Sequence, residues 1–335
     1  MSVRVAVIGA GIMGTDHARI VAGDLPGAVL QVVCDADEDR AQAVADECGA
    51  EHVVTNSLGA IGRADVDAVL IASPDGTHAA LTIAAIKAGK PVLCEKPLAP
   101  DTADCVKVIN AEVAAGRRLV QVGFMRRFDP SYAEMKAALD AGSIGRPLMM
   151  HNFHRNVEVP PWFTARMAIT NSAPHEFDAA RFILDSDYAA ISAFEPAATA
   201  TGDKVGPVVM VLETTAGQLV TIEVNNNAVY GYDVRGELVG ETGSVFLATP
   251  VNSRVNAALQ QVEHYAADWR PRFAEAYRLQ NKAWIEAIRA GKPSPVAANA
   301  WDGYCATVVA EAGATALAEG RKVAVDLIDK PVLYA

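Results

Sequence analysis

The segment VIGAGIMG, near the start of the chain, constrains the fold more than any other stretch. Gly9, Gly11 and Gly14 spell GxGxxG directly after the apolar, β-branched run 3–8 and at the opening of a helical stretch, residues 11–22. Asp35 closes a second apolar run, 29–34, and lies 21 residues beyond Gly14, where a dinucleotide-binding βαβ unit places its acid at about 20. Each residue has a job. Gly9 permits the tight turn, Gly11 lets the backbone approach a pyrophosphate, and Gly14 allows close helix-to-strand packing. The helix amino terminus supplies N–H groups and the positive dipole end, with Ile12 and Met13 as further cofactor-contact candidates. The Asp35 carboxylate accepts from a ribose 2′-hydroxyl and repels a 2′-phosphate. The next residue is Ala36, so no arginine stands there to neutralise that phosphate, and NAD is expected over NADP. Arg40, one helical turn on, is in reach of this region; its ordinary reading is a solvated helix face.

The same alternation continues. Residues 38–48 read as a helix stopped by Gly49, 68–72 as a strand, and 78–88 as a helix stopped by Gly89. Residues 92–94, 102–115 and 119–123 read as strand, helix (stopped by Gly116) and strand. Short, wholly apolar strands separated by helices indicate a parallel sheet covered on both faces. With right-handed crossovers, this is an α/β, doubly wound Rossmann domain over residues 1–122. After Phe124 the pattern changes. Residues 131–140 are helical and 147–154 resemble a strand. Period-two alternation over 208–248, punctuated at Ala216-Gly217 and Glu241-Thr242-Gly243, indicates an antiparallel sheet with one buried face. Phe273, Tyr277, Trp284 and Ile288 mark one stripe of a long helix ending at Gly291. Residues 123–335 are thus expected to form an α+β domain.

Composition agrees with two globular domains: 335 residues, 51% apolar and 21% charged. A net charge of −11 argues against a nucleic-acid binder and a polybasic membrane-surface protein. No uncharged apolar stretch approaches the ~20 residues of a membrane span. The apolar run at the amino terminus is too short for a signal peptide. The five cysteines are scattered, without CxxC spacing, as in a reduced compartment. A cytoplasmic location is expected.

Cys94-Glu95-Lys96-Pro97 follows a strand whose end faces the cofactor, where a lysine can aim its ammonium at a substrate oxygen; a surface salt bridge to Glu95 is the plain alternative. GAGIMG, LCEKPLA, LVQVGFMRRFDPSY, HRN and HEFD, in that order, resemble the motif set of the glucose–fructose oxidoreductase and inositol dehydrogenase family. YGYDVRGELVGETG and AWDGY resemble its inositol dehydrogenase branch, and the resemblance runs over nearly the whole chain. It implies a Rossmann domain followed by a large open-faced, mainly antiparallel sheet, and a homo-tetramer built through those sheets. It implies a cis Lys96-Pro97 bond, Lys96 on the reacting hydroxyl, and His175 as proton acceptor. Arg126, Asn156 and Tyr232 then fall in stretches lining a polyol pocket. Ser73 and His78, in the turn beyond the fourth strand, and Glu95 are placed near the cofactor.

Alcohol oxidation removes a hydride from carbon and a proton from oxygen. Histidine suits the proton, and a lysine ammonium stabilises developing alkoxide charge. His151 and His154, three apart on a strand, point to opposite faces and form no metal pair. The family pattern carries an aspartate four residues before the catalytic histidine; here it is Asn171. Asp178 supplies the missing charge, or Asn171 binds a substrate hydroxyl, or this side of the site is impaired. The expected activity is NAD-dependent oxidation of a cyclic polyol, inositol first, with an aldose dehydrogenase and a non-catalytic NAD-binding sensor as rivals. His17 reads as a helix-packing residue, Arg127 as a structural ion pair, and Trp162 as either a lid or loop packing.

Overall fold

The computed structural model describes residues 2–197, 205–248 and 254–335. The first strands and helices alternate: β1 (Val3–Ile8), α1 (Ile12–Gly23), β2 (Ala28–Cys34), α2 (Glu38–Cys48), β3 (His52–Val54) and α3 (Ser57–Gly62). They continue as β4 (Ala68–Ile71), α4 (His78–Lys87), β5 (Val92–Cys94), α5 (Thr102–Ala115) and β6 (Val120–Val122). Helix α2 runs from an Asp37 cap, whose side chain accepts from Arg40 N, to a left-handed Gly49, so both boundaries follow from capping chemistry. All six strands pair in parallel in the order β3-β2-β1-β4-β5-β6. The order reverses between β1 and β4, which puts the ligand crevice at their carboxyl ends. β3 and α3 were not expected. The strand has three residues, too few for a periodic signal, and the helix Ser57–Gly62 carries two glycines and depends on the Asn56 side chain accepting from Gly59 N.

The remaining elements are α6 (Pro130–Asp140), β7 (Pro147–Arg155), α7 (Ala165–Met167), α8 (Pro174–Leu184), β8 (Tyr188–Phe194), β9 (Val208–Thr214), β10 (Leu219–Asn225), β11 (Asp233–Gly240) and β12 (Ser244–Phe246). The hairpin β13 (Arg254–Ala257) and β14 (Gln260–Glu263), helices α9 (Trp269–Ala290) and α10 (Ala300–Glu319), and the short β15 (Val323–Ala324) complete the chain. The second sheet has the order β12-β11-β7-β10-β9-β8-β15. Its β9–β10 and β11–β12 pairs are the expected antiparallel hairpins. The β7–β10 pair is parallel, so the sheet is mixed; β7 precedes the helical stretch α7–α8 and is joined to β10 through it, free of any hairpin constraint. One face buries Met150, Val220, Ile222, Met210 and Leu212. The opposite face carries His151, Phe153, Thr221, Glu223 and Val209.

By contacts the chain divides into two compact units. The first contains residues 1–128, 276–307 and 327–335; the second contains 129–275 and 308–326. A single cut at residue 122 therefore does not describe the chain, because α9 and α10 each begin in one unit and end in the other. Trp284 and Ile285 of α9 belong to the first unit's core, with Val3, Val5, Val7, Leu30 and Leu93. The carboxyl terminus is tied to the same unit, where Tyr334 donates to the buried Glu112 carboxylate at 2.6 Å.

Candidate active site

In the first unit, Gly9 has φ +99°, and a Cβ there would lie 2.4 Å from Ala72 O and 2.7 Å from Ser73 N. A Cβ on Gly14 would lie 1.8 Å from Gly9 O, whereas Gly11 faces open space. Gly11 also caps α1 without any side-chain hydrogen bond. Ile12 is exposed and Met13 half-buried at this helix start. An approachable backbone, an uncapped helix amino terminus and no acid in the first turn fit a pyrophosphate.

Asp35 is anchored from two sides. Its Oδ2 accepts from Ala10 N at 2.7 Å and its Oδ1 from Asp37 N at 3.0 Å. The carboxylate therefore holds the glycine turn. Arg40 departs from the plain reading of a solvated helix face. Its guanidinium lies 3.5 Å from Asp35 and 3.0 Å from Asp37, because both acids sit just before the first turn of α2.

Ser73, Glu95 and Lys96 stand at the carboxyl ends of β4 and β5. Ser73 Oγ bonds Thr77 Oγ1 at 2.6 Å. The Lys96-Pro97 peptide bond is cis. Glu95 is buried, with its Oε1 2.9 Å from His17 Nε2 and its Oε2 accepting from Lys96 N at 3.1 Å. It is thus not half of a surface salt bridge. His78 is buried too, and both of its ring nitrogens face carbonyl oxygens: Nδ1 at 2.7 Å from Pro97 O and Nε2 at 2.8 Å from Ser73 O. Satisfying both requires a ring protonated on both nitrogens. Burial opposes that charge, but Cys94 and the two carbonyls outweigh it and push the pKa up to about 10. His78 thereby ties the β4 and β5 turns together and braces the site's wall, with no ring nitrogen left for a ligand. Arg126 is 1% exposed in the short 3-10 turn Met125–Phe128. Its neighbour Arg127 pairs with Asp302 at 3.3 Å, as expected.

In the second unit, His175 is the second residue of α8, which Pro174 opens. Before it, residues Ala168–Ser172 form a π-helical turn that contains Asn171; such turns recur at functional sites. His154 of β7 is the hub. Its ring lies 6.5 Å from that of His175 and 6.0 Å from that of Tyr232. Its Nδ1 lies 3.0 Å from Glu176 Oε2, and Asn156 Nδ2 is 3.5 Å from its Nε2. Asn156 also donates to Asn226 Oδ1 at 2.6 Å, and Ser172 Oγ donates to the same oxygen at 3.3 Å. The structure thus gathers His175, Asn156 and Tyr232, and adds His154, Glu176 and Asn226, which sequence reasoning did not place in the site. Glu176, beside His175 in HEFD, was the available signal. His151 bonds Thr221 Oγ1 at 2.7 Å on the opposite face of β7. Trp162 is largely exposed, with its ring 6.4 Å from that of Phe163.

In the first unit, an uncapped glycine turn, an acid anchored to it and a lysine at a strand end accord with a nicotinamide-dependent oxidoreductase, as does the buried histidine hub of the second. Residues 3–124 match the oxidoreductase family with an NAD-binding Rossmann fold, and residues 132–246 match the GFO/IDH/MocA C-terminal domain. The chain belongs to the GFO/IDH/MocA family of NAD-binding oxidoreductases. It is 51% identical to inositol 2-dehydrogenase 1 of Saccharopolyspora erythraea, over 100% of this chain and 99% of that protein. It is 42% identical to the inositol 2-dehydrogenase of Streptomyces avermitilis, over 98% and 96%. The crystal structure of myo-inositol dehydrogenase from Lactobacillus casei, in complex with NAD(H) and myo-inositol, matches with a TM-score of 0.95 at 30% identity, covering 100% of both chains. Among the described residues, no helix is long and apolar enough to cross a membrane.

Proposed function

We propose that the chain oxidises a ring hydroxyl of inositol, myo or scyllo, to the keto-inositol with NAD. The full-length likeness to inositol 2-dehydrogenases carries this reading. The histidine, asparagine and tyrosine gathered around His154 support it, since they offer a neutral polyol donors and acceptors without fixed charge. The bound nicotinamide supplies the hydride acceptor. Lys96 orients the hydroxyl and stabilises charge developing on its oxygen. His175 accepts the proton as general base. Arg126, Asn156 and Tyr232 hold the remaining hydroxyls. Asn171 orients His175 or a substrate hydroxyl without adding charge. Gly9, Gly11, Ile12, Met13, Gly14, Asp35, Ser73 and Glu95 form the cofactor's surroundings, with His78 bracing them.

We further propose a cytoplasmic homo-tetramer assembled through the open sheet face. Phe194, Val209, Leu219 and Phe246 stand exposed on that face, and Phe153 lies beneath the guanidinium groups of Arg155 and Arg235 at 5.4 and 4.7 Å. Unburied apolar area of this kind marks an interface.

The test is a panel of inositol isomers and aldoses with NAD, followed by NADH absorbance. At least one inositol should exceed every aldose in kcat/KM by about 10²-fold or more; sites built to hydrogen-bond a hydroxyl reject analogues lacking it by about 10⁴- to 10⁵-fold. Preference for an aldose overturns the substrate, and tight NAD binding without any turnover indicates a sensor. In the same assay, Asn171→Asp should move the acidic limb of the kcat/KM profile up by about one pH unit. The added anion favours the imidazolium, so the neutral base appears at higher pH. An unmoved limb with unchanged substrate ranking removes residue 171 from the chemistry.

A further inference from the structure

The buried Glu95 carboxylate sits at the end of a hydrogen-bond chain with a fixed direction. His17 on α1 and Gln280 and Asn281 on α9 are all fully buried. Gln280 Nε2 donates to Asn281 Oδ1 at 3.5 Å. The Asn281 amide nitrogen only donates, and it lies 2.8 Å from His17 Nδ1. That ring nitrogen therefore accepts, which leaves the proton on Nε2 to be donated to Glu95 Oε1 at 2.9 Å. The other carboxylate oxygen accepts the Lys96 backbone N–H at 3.1 Å. Space for this carboxylate is reserved, because a Cβ on Gly123, at the end of β6, would lie 2.7 Å from it.

Burying a carboxylate is unfavourable unless it is fully hydrogen-bonded, and an apolar side chain of similar size is usually as stable. Here the hydrogen bonds are made, and one of them ends on the backbone of the residue that has to reach the substrate. We propose that Asn281–His17–Glu95 is a buried relay that fixes the Glu95 carboxylate in place and thereby positions Lys96. His17 and Asn281 are positioning residues, and Glu95 transmits their constraint. The inference rests on Lys96 being the group that polarises the hydroxyl.

The titratable and charged neighbours of this relay come from several elements. Tyr277 of α9 sets its ring against the His17 edge at 5.8 Å. Cys94 Sγ donates to Glu95 O at 3.3 Å. His78 of α4 bonds the Pro97 carbonyl two residues on, and Lys96 follows directly. His17 Nε2 is the side-chain donor to the carboxylate among these contacts. Without it, the Glu95 side chain loses the bond that fixes its Oε1 and holds the Lys96 N–H less firmly.

The experiment compares kcat for inositol oxidation from about pH 6 to pH 9 in native enzyme and four variants, alongside NADH binding by fluorescence titration. Glu95→Gln should lower kcat about 10²-fold relative to native at every pH, the cost of a displaced reacting group. His17→Phe should lower kcat about 10- to 100-fold, the cost of a reacting group held less firmly. His17→Gln, which keeps an N–H donor, should stay near native. Asn281→Leu should reproduce the loss at smaller size, and it stands in if His17→Phe does not fold. NADH affinity should remain within about threefold in the His17 and Asn281 variants. A His17→Gln variant as slow as His17→Phe, native kcat in Asn281→Leu, or NADH affinity falling in step with kcat in these variants, overturns the relay. A native enzyme that oxidises no inositol overturns the functional reading instead.

Discussion

Alanine in place of His175 is expected to lower kcat for polyol oxidation by about 10²- to 10⁴-fold, the usual contribution of a general base. NADH binding should stay close to native, because the glycine turn, Asp35 and the β4–β5 turns all belong to the first unit and His175 to the second. The acidic limb of the rate profile should disappear along with the rate, since the group that must lose its proton is gone. His154 offers the nearest imidazole, with its ring 6.5 Å away, but its Nδ1 is engaged by Glu176. It is therefore a poor substitute. Stopped-flow NADH formation and an NADH titration on one preparation separate the outcomes. A variant retaining more than a tenth of native kcat, with the limb intact, removes His175 from proton transfer.

Replacing Asp35 by serine is the second large effect. The carboxylate makes charge-assisted hydrogen bonds, worth roughly 1.5–3 kcal/mol each, and it anchors Ala10 N at 2.7 Å. NAD should lose about 10- to 100-fold in kcat/KM, by conversion of one such bond. NADP should gain, because repulsion of the 2′-phosphate is removed and Arg40, now 3.5 Å from the carboxylate, is released to face that phosphate. Adding Arg40→Ala should cancel the NADP gain and leave the NAD loss in place. If NADP improves equally with and without Arg40, the arginine has no part in cofactor choice.

The parts readable from the chain were those decided by local chemistry. Gly9, Gly11, Gly14 and Asp35 lie within one βαβ unit; backbone sterics dictate Gly9 and Gly14, and Gly11 leaves the backbone open to approach. Helix α2 and helix α5 end at Gly49 and Gly116, both left-handed in the structure. What escaped reading depends on distant residues. His17 looks like a packing residue until Glu95 and Asn281 come against its two nitrogens. His154 looks like half of a failed metal pair until α8 brings Glu176 onto it. The parallel β7–β10 pairing has no turn signature. Arg40 was judged by its helix face, and the aspartates preceding the helix decided otherwise.

The apolar stripe of α9 has a bearing on synthesis. Trp284 and Ile285 fill the core formed by Val3, Val5, Val7 and Leu93. On the ribosome, the nucleotide-binding half emerges long before these two side chains have been translated. That half therefore waits with a slot in its interior until translation has passed these residues. An isolated Rossmann fragment carries the same gap, so cutting the gene after its sixth strand would leave an apolar wound rather than a free-standing cofactor module.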